Sequence, residues 1–214
     1  MALMDSLAMK PEEIEAESFR IIDAEAGRHD WPPAEWQVVR RAVHTSADFE
    51  YVRSMVFSQG AVEQAVAALK SGYGIVTDTN MALSGISKVR LARFGTRVNC
   101  HVADPDVIEI AKQEGITRSI AAMRKAVGDP VNRIFVIGNA PTALFELLRL
   151  TDEGTAKPAL IIGLPVGFVG AEESKNALAA SGQAIPFITN IGRKGGSNVA
   201  AAVVNALAIL AGQC

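Results

Sequence analysis

The sequence has 214 residues, of which 49% are hydrophobic and 21% are charged, and its formal net charge is −2. This composition supports one large domain with a sizeable core and excludes a disordered or fibrous chain. The slight negative charge argues against general binding to nucleic acid or to an anionic membrane, because both need a cationic excess.

Compartment is indicated by cysteine usage and by the apolar segments. Cys100 and Cys214 are too few for a disulfide framework, so we expect a reducing compartment. The N-terminus has no basic region followed by an apolar core, so no signal peptide is predicted. The apolar stretches Ala159–Ala171 and Val199–Gly212 are shorter than the about 20 residues of a membrane span. We therefore expect a soluble, cytoplasmic protein without membrane contacts.

The first third of the chain is predicted to be helical. A proline followed by two glutamates begins the first helix, and Trp31-Pro32-Pro33 opens a second, whose apolar face includes Trp36, Val39 and Val43. His44 follows that face, near a bend. Four helices are predicted here: the first from Pro11 to near Gly27, the second from Pro33 to near His44, the third from Asp48 to Phe57 and the fourth from Val62 to Leu69.

Beyond residue 73 predicted strands alternate with helices. Asp104-Pro105 and Thr117 are expected to begin two of these helices. The predicted strands are Gly74–Asp78, Arg97–Val102, Arg133–Gly138, Ala159–Gly163 and Pro186–Asn190. This alternation predicts an α/β fold in one domain over residues 1–214, with a mostly parallel sheet covered on both faces. Residues 1–10 are expected to be a flexible N-terminal segment.

Open α/β sheets bind ligands beyond the carboxyl ends of their strands. Gly192–Ser197 combines glycines, two cations and a helix start, which is typical of an anion site, although the glycines could instead shape a tight turn with Ser197 as the cap. Neither the P-loop pattern nor G-x-G-x-x-G after a strand occurs, which disfavours a nucleotide-dependent enzyme. The candidate loops are Asp78–Asn80, Gly138–Thr142, Gly163–Gly170 and Gly192–Ser197.

Single polar residues leave several alternatives open. His44 could exchange a proton near neutral pH or simply bond the last carbonyls of its helix. Asp78 could be a base, a metal ligand or the acceptor that fixes its loop. Arg118 could hold an anionic substrate or pair with Glu114. No zinc spacing is present, because Cys100 and the histidine after it would point to opposite faces of a strand.

Several segments together resemble the precorrin-8X methylmutase family, over about residues 12–210. The longest of them is the loop from Gly163 to Lys175. The matching segments are Glu17-Ser18-Phe19, Val38–His44, Thr77–Met81, Thr117-Arg118-Ser119, Ile137–Leu144, Gly163–Lys175 and Gly192–Ser197.

The resemblance implies a homodimeric, three-layer α/β/α isomerase of cobalamin synthesis. Such an enzyme moves a methyl group from C11 to C12 of a tetrapyrrole, precorrin-8X or cobalt-precorrin-8, by an acid-assisted 1,5-sigmatropic shift. The resemblance implies no organic cofactor and no resident metal. His44 matches the family histidine thought to protonate a ring nitrogen. A non-catalytic tetrapyrrole carrier is the alternative, and it would need no such acid.

The same resemblance implies the substrate-binding residues. The substrate carries many carboxylates, which suits Arg118 and the cationic loop as anchors. Ser18 matches a family position near the substrate. Asn139, Thr142 and the Pro165–Gly170 loop are expected to shape the pocket. The loop residues implied as anchors are Arg193, Lys194, Gly195, Gly196 and Ser197.

Overall fold

The computed structural model describes residues 10–181 and 185–213. The predicted N-terminal segment, apart from Lys10, and Cys214 lie outside these residues. Within them the chain forms eleven helices and six strands. The helices are α1 (Pro11–Ala26), α2 (Pro33–Ser46), α3 (Tyr51–Ser54), α4 (Ala61–Lys70), α5 (Asn80–Gly85), α6 (Lys88–Ala92), α7 (Pro105–Glu114), α8 (Arg118–Val127), α9 (Pro141–Asp152), α10 (Ala171–Ala180) and α11 (Ser197–Gln213). The strands are β1 (Met55–Phe57), β2 (Gly74–Thr77), β3 (Val98–Asn99), β4 (Asn132–Ile137), β5 (Leu160–Gly163) and β6 (Phe187–Asn190).

The six strands form one sheet in the order β1-β6-β5-β4-β2-β3. Neighbours from β6 to β3 are parallel, and β1 alone is antiparallel, with Met55 opposite Asn190. The α/β class and the mostly parallel sheet are therefore confirmed. Because the five parallel strands end at the same edge, the loops that follow them meet there.

Alternate residues of the central strand β4 enter two separate cores. Ile134 and Val136 face one core, while Phe135 and Ile137 face the other, and all four are almost completely buried. Helices α1, α2, α4, α6 and α11 cover the first core, and α7 to α10 cover the second. The molecule thus has three layers. Burial of each large apolar side chain in these cores stabilises the folded state by roughly 1.5–3 kcal/mol. None of the helices in the described part is long and apolar enough to cross a membrane.

Helix α11 is the centre of the first layer. It is rich in alanine and buried along most of its length, and α2 and α5 pack against it. Small side chains allow these helices to approach closely: a Cβ added at Gly85 would lie 2.9 Å from the Cβ of Ala201. This packing brings the end of α2, the α5–α6 turn and the middle of α11 together.

Two of the predicted elements were wrong in part. The helix predicted over Asp48–Phe57 is reduced to α3, since Met55–Phe57 pairs with β6 and completes that edge of the sheet. The strand predicted over Arg97–Val102 is reduced to β3, which pairs with β2 alone, and α5 and α6 were not predicted.

The predicted helix starts at Asp104-Pro105 and Thr117 are confirmed. Thr117 accepts a hydrogen bond from the Ile120 amide at 3.2 Å, as a capping residue does. Asp104 precedes α7 but makes no capping bond, because its carboxylate binds His101 and Lys125, each at 2.8 Å. Ser197 is the first residue of α11, and its hydroxyl bonds the Thr79 hydroxyl at 2.8 Å.

Candidate active site

His44 lies in the last turn of α2. The helix ends there because Ala47 adopts a left-handed conformation, φ 52°, and its amide bonds the Val43 carbonyl at 2.7 Å. The half-buried imidazole contacts the ring of Phe19 on α1, with 5.1 Å between centroids. One side of the imidazole is therefore packed.

A cavity of about 310 Å³ lies beside His44 and carries positive charge. Two arginines line it, Arg41 from α2 and Arg90 from α6. Glu15 on α1 binds Arg41, and this hydrogen bond, with weaker attraction to His44 and Arg90, lowers the pKa of the Glu15 carboxyl. The lining residues are Arg41, His44, Thr45, Ser87, Arg90, Ala202, Asn205 and Ile209. The cavity suits an anionic ligand and places a proton-transfer group at its wall.

Asn205 fixes the wall of this cavity opposite α2. Its side-chain carbonyl accepts from the Ser87 amide at 2.8 Å, and its amide donates to the Gly85 carbonyl at 2.9 Å. The α5–α6 turn is thereby held against α11. Asn205 was not among the predicted site residues, although a single amide side chain within the apolar run Val199–Gly212 was the available signal.

Ser18 is half-buried on α1, next to the phenylalanine that contacts His44. Its hydroxyl donates to the Ile14 carbonyl one turn earlier, at 2.8 Å. Ser18 does not line the cavity beside His44, and its hydroxyl oxygen can still accept a hydrogen bond.

Asp78 organises the loop after β4. Its carboxylate, 1% exposed, accepts from the amides of Gly138, Asn139 and Ala140 at 2.8, 2.9 and 2.7 Å. Burial raises the pKa of this carboxyl, and the three hydrogen bonds oppose that effect. Of the alternatives for Asp78, the loop acceptor is the one with matching contacts.

Arg118 and Thr142 lie in the first turns of α8 and α9, and Asn139 lies in the loop that leads into α9. The hydroxyl groups of Thr117 and Thr142 are 3.1 Å apart, which joins the starts of α8 and α9. Arg118 is exposed and makes no ion pair with any residue in the described ranges. The alternative partner, Glu114, binds Arg124 instead, at 2.6 Å. Arg118 is thus available to an anion.

The Gly192–Ser197 loop turns its carbonyl groups into the protein. The Arg193 carbonyl accepts from the Gly167 amide at 3.2 Å, and the Lys194 carbonyl accepts from Lys175 Nζ at 2.6 Å. Within the described part of the chain, the amides of residues 192–195 have no acceptor. Free amides in a glycine loop, followed by the start of a long helix, are typical of an anion site.

Close packing holds this loop in place. The Gly196 amide donates to the Leu164 carbonyl at 2.9 Å, and a Cβ at Gly195 would lie 2.6 Å from the Pro165 carbonyl oxygen. Gly196 has φ 131°, which an L side chain rarely adopts. Any larger residue at these two positions would displace the loop.

The two cations of the loop differ in availability. Arg193 is exposed, with its guanidinium 5.7 Å from the ring centroid of Phe168. Lys194 Nζ binds Asp48 and, at 2.8 Å, Glu50. These carboxylates raise the pKa of Lys194, and a ligand carboxylate would have to compete with them.

Within one chain the predicted site residues form separate groups. Ser18 and His44 lie on the α1–α2–α11 side of the sheet, whereas Arg118, Asn139 and Thr142 lie where α8 and α9 begin. The 192–197 loop lies at the end of β6, and Ser197 reaches the β2 end through Thr79. Arg118 does not line the cavity beside His44.

Comparison with known families gives a match over nearly the whole chain. The sequence profile of the precorrin-8X methylmutase family matches residues 13–210. The chain belongs to this family. Precorrin-8X methylmutases are isomerases, so the chain is an enzyme of that class, and the resemblance stated from its motifs is confirmed.

Individual methylmutases agree with this assignment. The cobalt-precorrin-8 methylmutase of Priestia megaterium is 48% identical over 205 residues, 96% of this chain and 90% of the relative. The precorrin-8X methylmutase of Sinorhizobium sp is 44% identical, covering 89% and 90%. The crystal structure of precorrin-8X methylmutase from Thermus thermophilus has a TM-score of 0.87 and 43% identity, covering 94% of this chain and 97% of that one.

Proposed function

We propose that the protein moves a methyl group from C11 to C12 of precorrin-8X, giving hydrogenobyrinate, or of cobalt-precorrin-8, giving cobyrinate. Both are steps of cobalamin biosynthesis. The observation that carries the proposal is His44 at the wall of a cationic cavity, in a chain that belongs to the methylmutase family. The cobalt ion, where present, is part of the substrate.

We assign the general-acid role to His44. Protonation of a ring nitrogen withdraws electrons from the macrocycle and promotes the shift. The bond from the methyl group to C11 breaks as the bond to C12 forms, so no group leaves and no electrons enter. Acid catalysis of this kind contributes about 10²–10⁴-fold in rate. Phe19 restricts the imidazole from one side, which supports a fixed direction for the proton.

The substrate would be bound through its carboxylates, each held by a different cationic side chain. Arg41 and Arg90 lie beside the acid, and Arg118 and Arg193 are exposed at the carboxyl edge. Arginine binds a carboxylate through two parallel hydrogen bonds, which fixes orientation as well as affinity. Holding the macrocycle at several points would supply much of the remaining rate enhancement.

The other predicted residues would contribute backbone amides for the substrate or the shape of the pocket. Gly195, Gly196 and Ser197 would present amides to a substrate carboxylate. The Lys194 ammonium, held by two carboxylates, would contribute chiefly through its own backbone amide. Asn139 and Thr142 would border the pocket beside Arg118.

We infer that the enzyme is a homodimer in which both subunits line each site. The separation of His44 from Arg118 within one chain supports this. So does the loop after β5, where Phe168 and Val169 are 85% and 89% exposed, because adjacent exposed apolar residues mark interaction surfaces. We also place the enzyme in the cytoplasm and expect it to need no organic cofactor.

Anaerobic incubation with precorrin-8X, and separately with cobalt-precorrin-8, tests the function. We expect the visible absorption spectrum to change as the conjugated system rearranges, and the substrate with the higher kcat/KM identifies the natural one. Tight binding of both without conversion would instead establish a carrier. Absence of binding would refute both.

A further inference from the structure

Lys175 on α10 is a buried cation without a carboxylate partner among the residues that the structure describes. Its side chain is 1% exposed, and Nζ donates to the Lys194 carbonyl at 2.6 Å and to Asn190 Oδ1 at 3.2 Å. Both acceptors are neutral. Burial lowers the pKa of the ammonium to about 8, with Glu172 opposing the change. Burying a charge that is bound only to neutral acceptors costs free energy of folding, which suggests that Lys175 serves a purpose other than stability.

The contacts of Lys175 converge on the anion loop. The Lys194 carbonyl that it binds also accepts from Asn190 Nδ2 at 2.9 Å, and Asn190 is in turn oriented by Lys175. Two donors therefore draw this carbonyl inward. The neighbouring carbonyl of Arg193 is held by the Gly167 amide, and that of Gly195 lies 3.5 Å from the Tyr51 hydroxyl.

This arrangement determines which side of the peptide groups remains free. With the carbonyls of residues 193–195 bonded inside the protein, the amides of residues 192–195 are left without acceptors among the described residues. Lys175 also connects α10, which follows the β5 loop, to the loop after β6. It therefore couples the two glycine-rich loops at the carboxyl edge.

We propose that Lys175 is the positioning residue of the substrate anchor, holding the Lys194 carbonyl inward so that the amides of residues 192–195 stay free for a substrate carboxylate. The inference rests on the proposed function, since it takes the loop as a carboxylate anchor. Lys175 itself does not touch the substrate.

Several titratable and charged groups surround Lys175, whose own pKa is about 8. Glu172 lies on the same helix, and Arg193 and Lys194 on the loop. Asp48, Glu50 and Tyr51 face the loop from the segment after α2. Burial raises the pKa of Tyr51 to about 12, the lysine–carboxylate contacts raise that of Lys194, and the Lys194 contact lowers that of Asp48.

The test compares Lys175→Met with Ser174→Ala. Both change a fully buried residue of α10, but the Ser174 hydroxyl donates to the Ala171 carbonyl and makes no hydrogen bond to the 192–197 loop. We expect Lys175→Met to raise KM by about tenfold, as for loss of a charged hydrogen-bonding group, with kcat largely retained. Ser174→Ala should leave KM unchanged. The unsubstituted enzyme should lose some affinity as pH rises through about 8, because the neutral amine donates a weaker hydrogen bond to the Lys194 carbonyl than the ammonium does. Lys175→Met should lack that dependence.

Hydrogen exchange in the absence of substrate provides a readout independent of the reaction. The amides of Ile191 and Gly196 are bonded to Ser54 and Leu164, and we expect both to exchange faster in Lys175→Met but not in Ser174→Ala. If Lys175→Met does not fold, Lys175→Gln takes its place; because the glutamine amide keeps N–H donors, it should raise KM by less than the tenfold expected for Lys175→Met. Unchanged KM and exchange in the folded variant would overturn the inference, even if the unsubstituted enzyme converts its substrate. Failure of conversion with faster loop exchange would instead count against the proposed function.

Discussion

At the scale of single residues, His44 combines a packed position with a charged environment. The phenylalanine on one side limits ring rotation, while Arg41 and Arg90 line the cavity beside it. Substrate carboxylates bound by the two guanidinium groups would hold the macrocycle next to the imidazole.

We expect His44→Ala to lower kcat by about 10²–10⁴-fold, since the proton donor is lost, while product affinity changes little. Single-turnover absorbance and equilibrium titration measure the two quantities. His101→Ala is the matched control, because His101 is bound to Asp104 outside the cavity. Near-normal turnover of His44→Ala would exclude His44 as the acid.

Arg118→Ala should weaken substrate binding and reduce its dependence on salt, because one exposed cation–carboxylate contact is removed. Titration at low and high ionic strength measures both effects. Arg133→Ala is a suitable control, since Arg133 is at the opposite edge of the sheet, over the ring of Tyr73. Equal affinity of Arg118→Ala and the unsubstituted enzyme at low salt would contradict the assignment.

At the scale of elements, the helices of the second layer are connected by a charge network. Glu146 on α9, largely buried, binds Arg149 one turn later and Arg124 on α8, each at 2.7 Å, and Arg124 also binds Glu114 on α7. The hydrogen bonds from Arg149, and then those from Arg124, lower the pKa of Glu146 to about 2. This network holds the starts of α8 and α9, and with them Arg118, in register.

Glu146→Gln should lower the free energy of unfolding at pH 7 by about 1–3 kcal/mol, a range that allows for solvent screening of the two half-exposed arginines. A carboxyl whose folded pKa is depressed stabilises the protein fully above its unfolded pKa of 4.5, and this contribution fades as pH falls toward about 2. Urea unfolding at pH 7 and pH 3 should therefore show a smaller difference at pH 3. Glu153→Gln, which removes an exposed partner of Arg149, is the control and should cost little. An equal difference at both pH values would disprove the linkage.

The elements that could be predicted from the sequence are those with strong local signals. Pro105 and Thr117 mark helix starts, and the apolar runs of β4 and β5 mark buried strands. Met55–Phe57 could not be assigned, because three apolar residues fit a helix or a strand, and a partner more than 130 positions later decides between them. The site followed the same rule: the loops could be named, but Asn205 and Lys175 gain their roles from contacts distant in the sequence.

At the scale of the whole molecule, the loop after β5 presents an exposed apolar surface next to the 192–197 loop, since the Gly167 amide bonds the Arg193 carbonyl. Phe168 and Val169 extend from the same edge as Arg118 and Arg193, and their exposure to water is unfavourable in a monomer. A second copy of the chain would cover them and complete the pocket.

Val169→Glu should convert the enzyme from a dimer to a monomer, because it places a charge in an apolar contact. Sedimentation velocity gives the mass, and kcat should fall with it. Val131→Glu is the control, since Val131 is half-exposed at the other edge of the sheet. A monomeric unsubstituted enzyme with full activity would refute the shared site.

The packing of α2 against α11 joins the first quarter of the chain to its last helix. A ribosome makes α1 and α2 long before α11, the surface that they cover, and β1 long before β6. Folding of this layer is therefore delayed until α11 has been synthesised, and its apolar residues stay accessible to chaperones in the meantime. A chain that ends before α11 lacks the cavity wall formed by Ala202, Asn205 and Ile209. Such a fragment would not bind the corrin precursor, and the precursor would stay available to complete enzyme molecules.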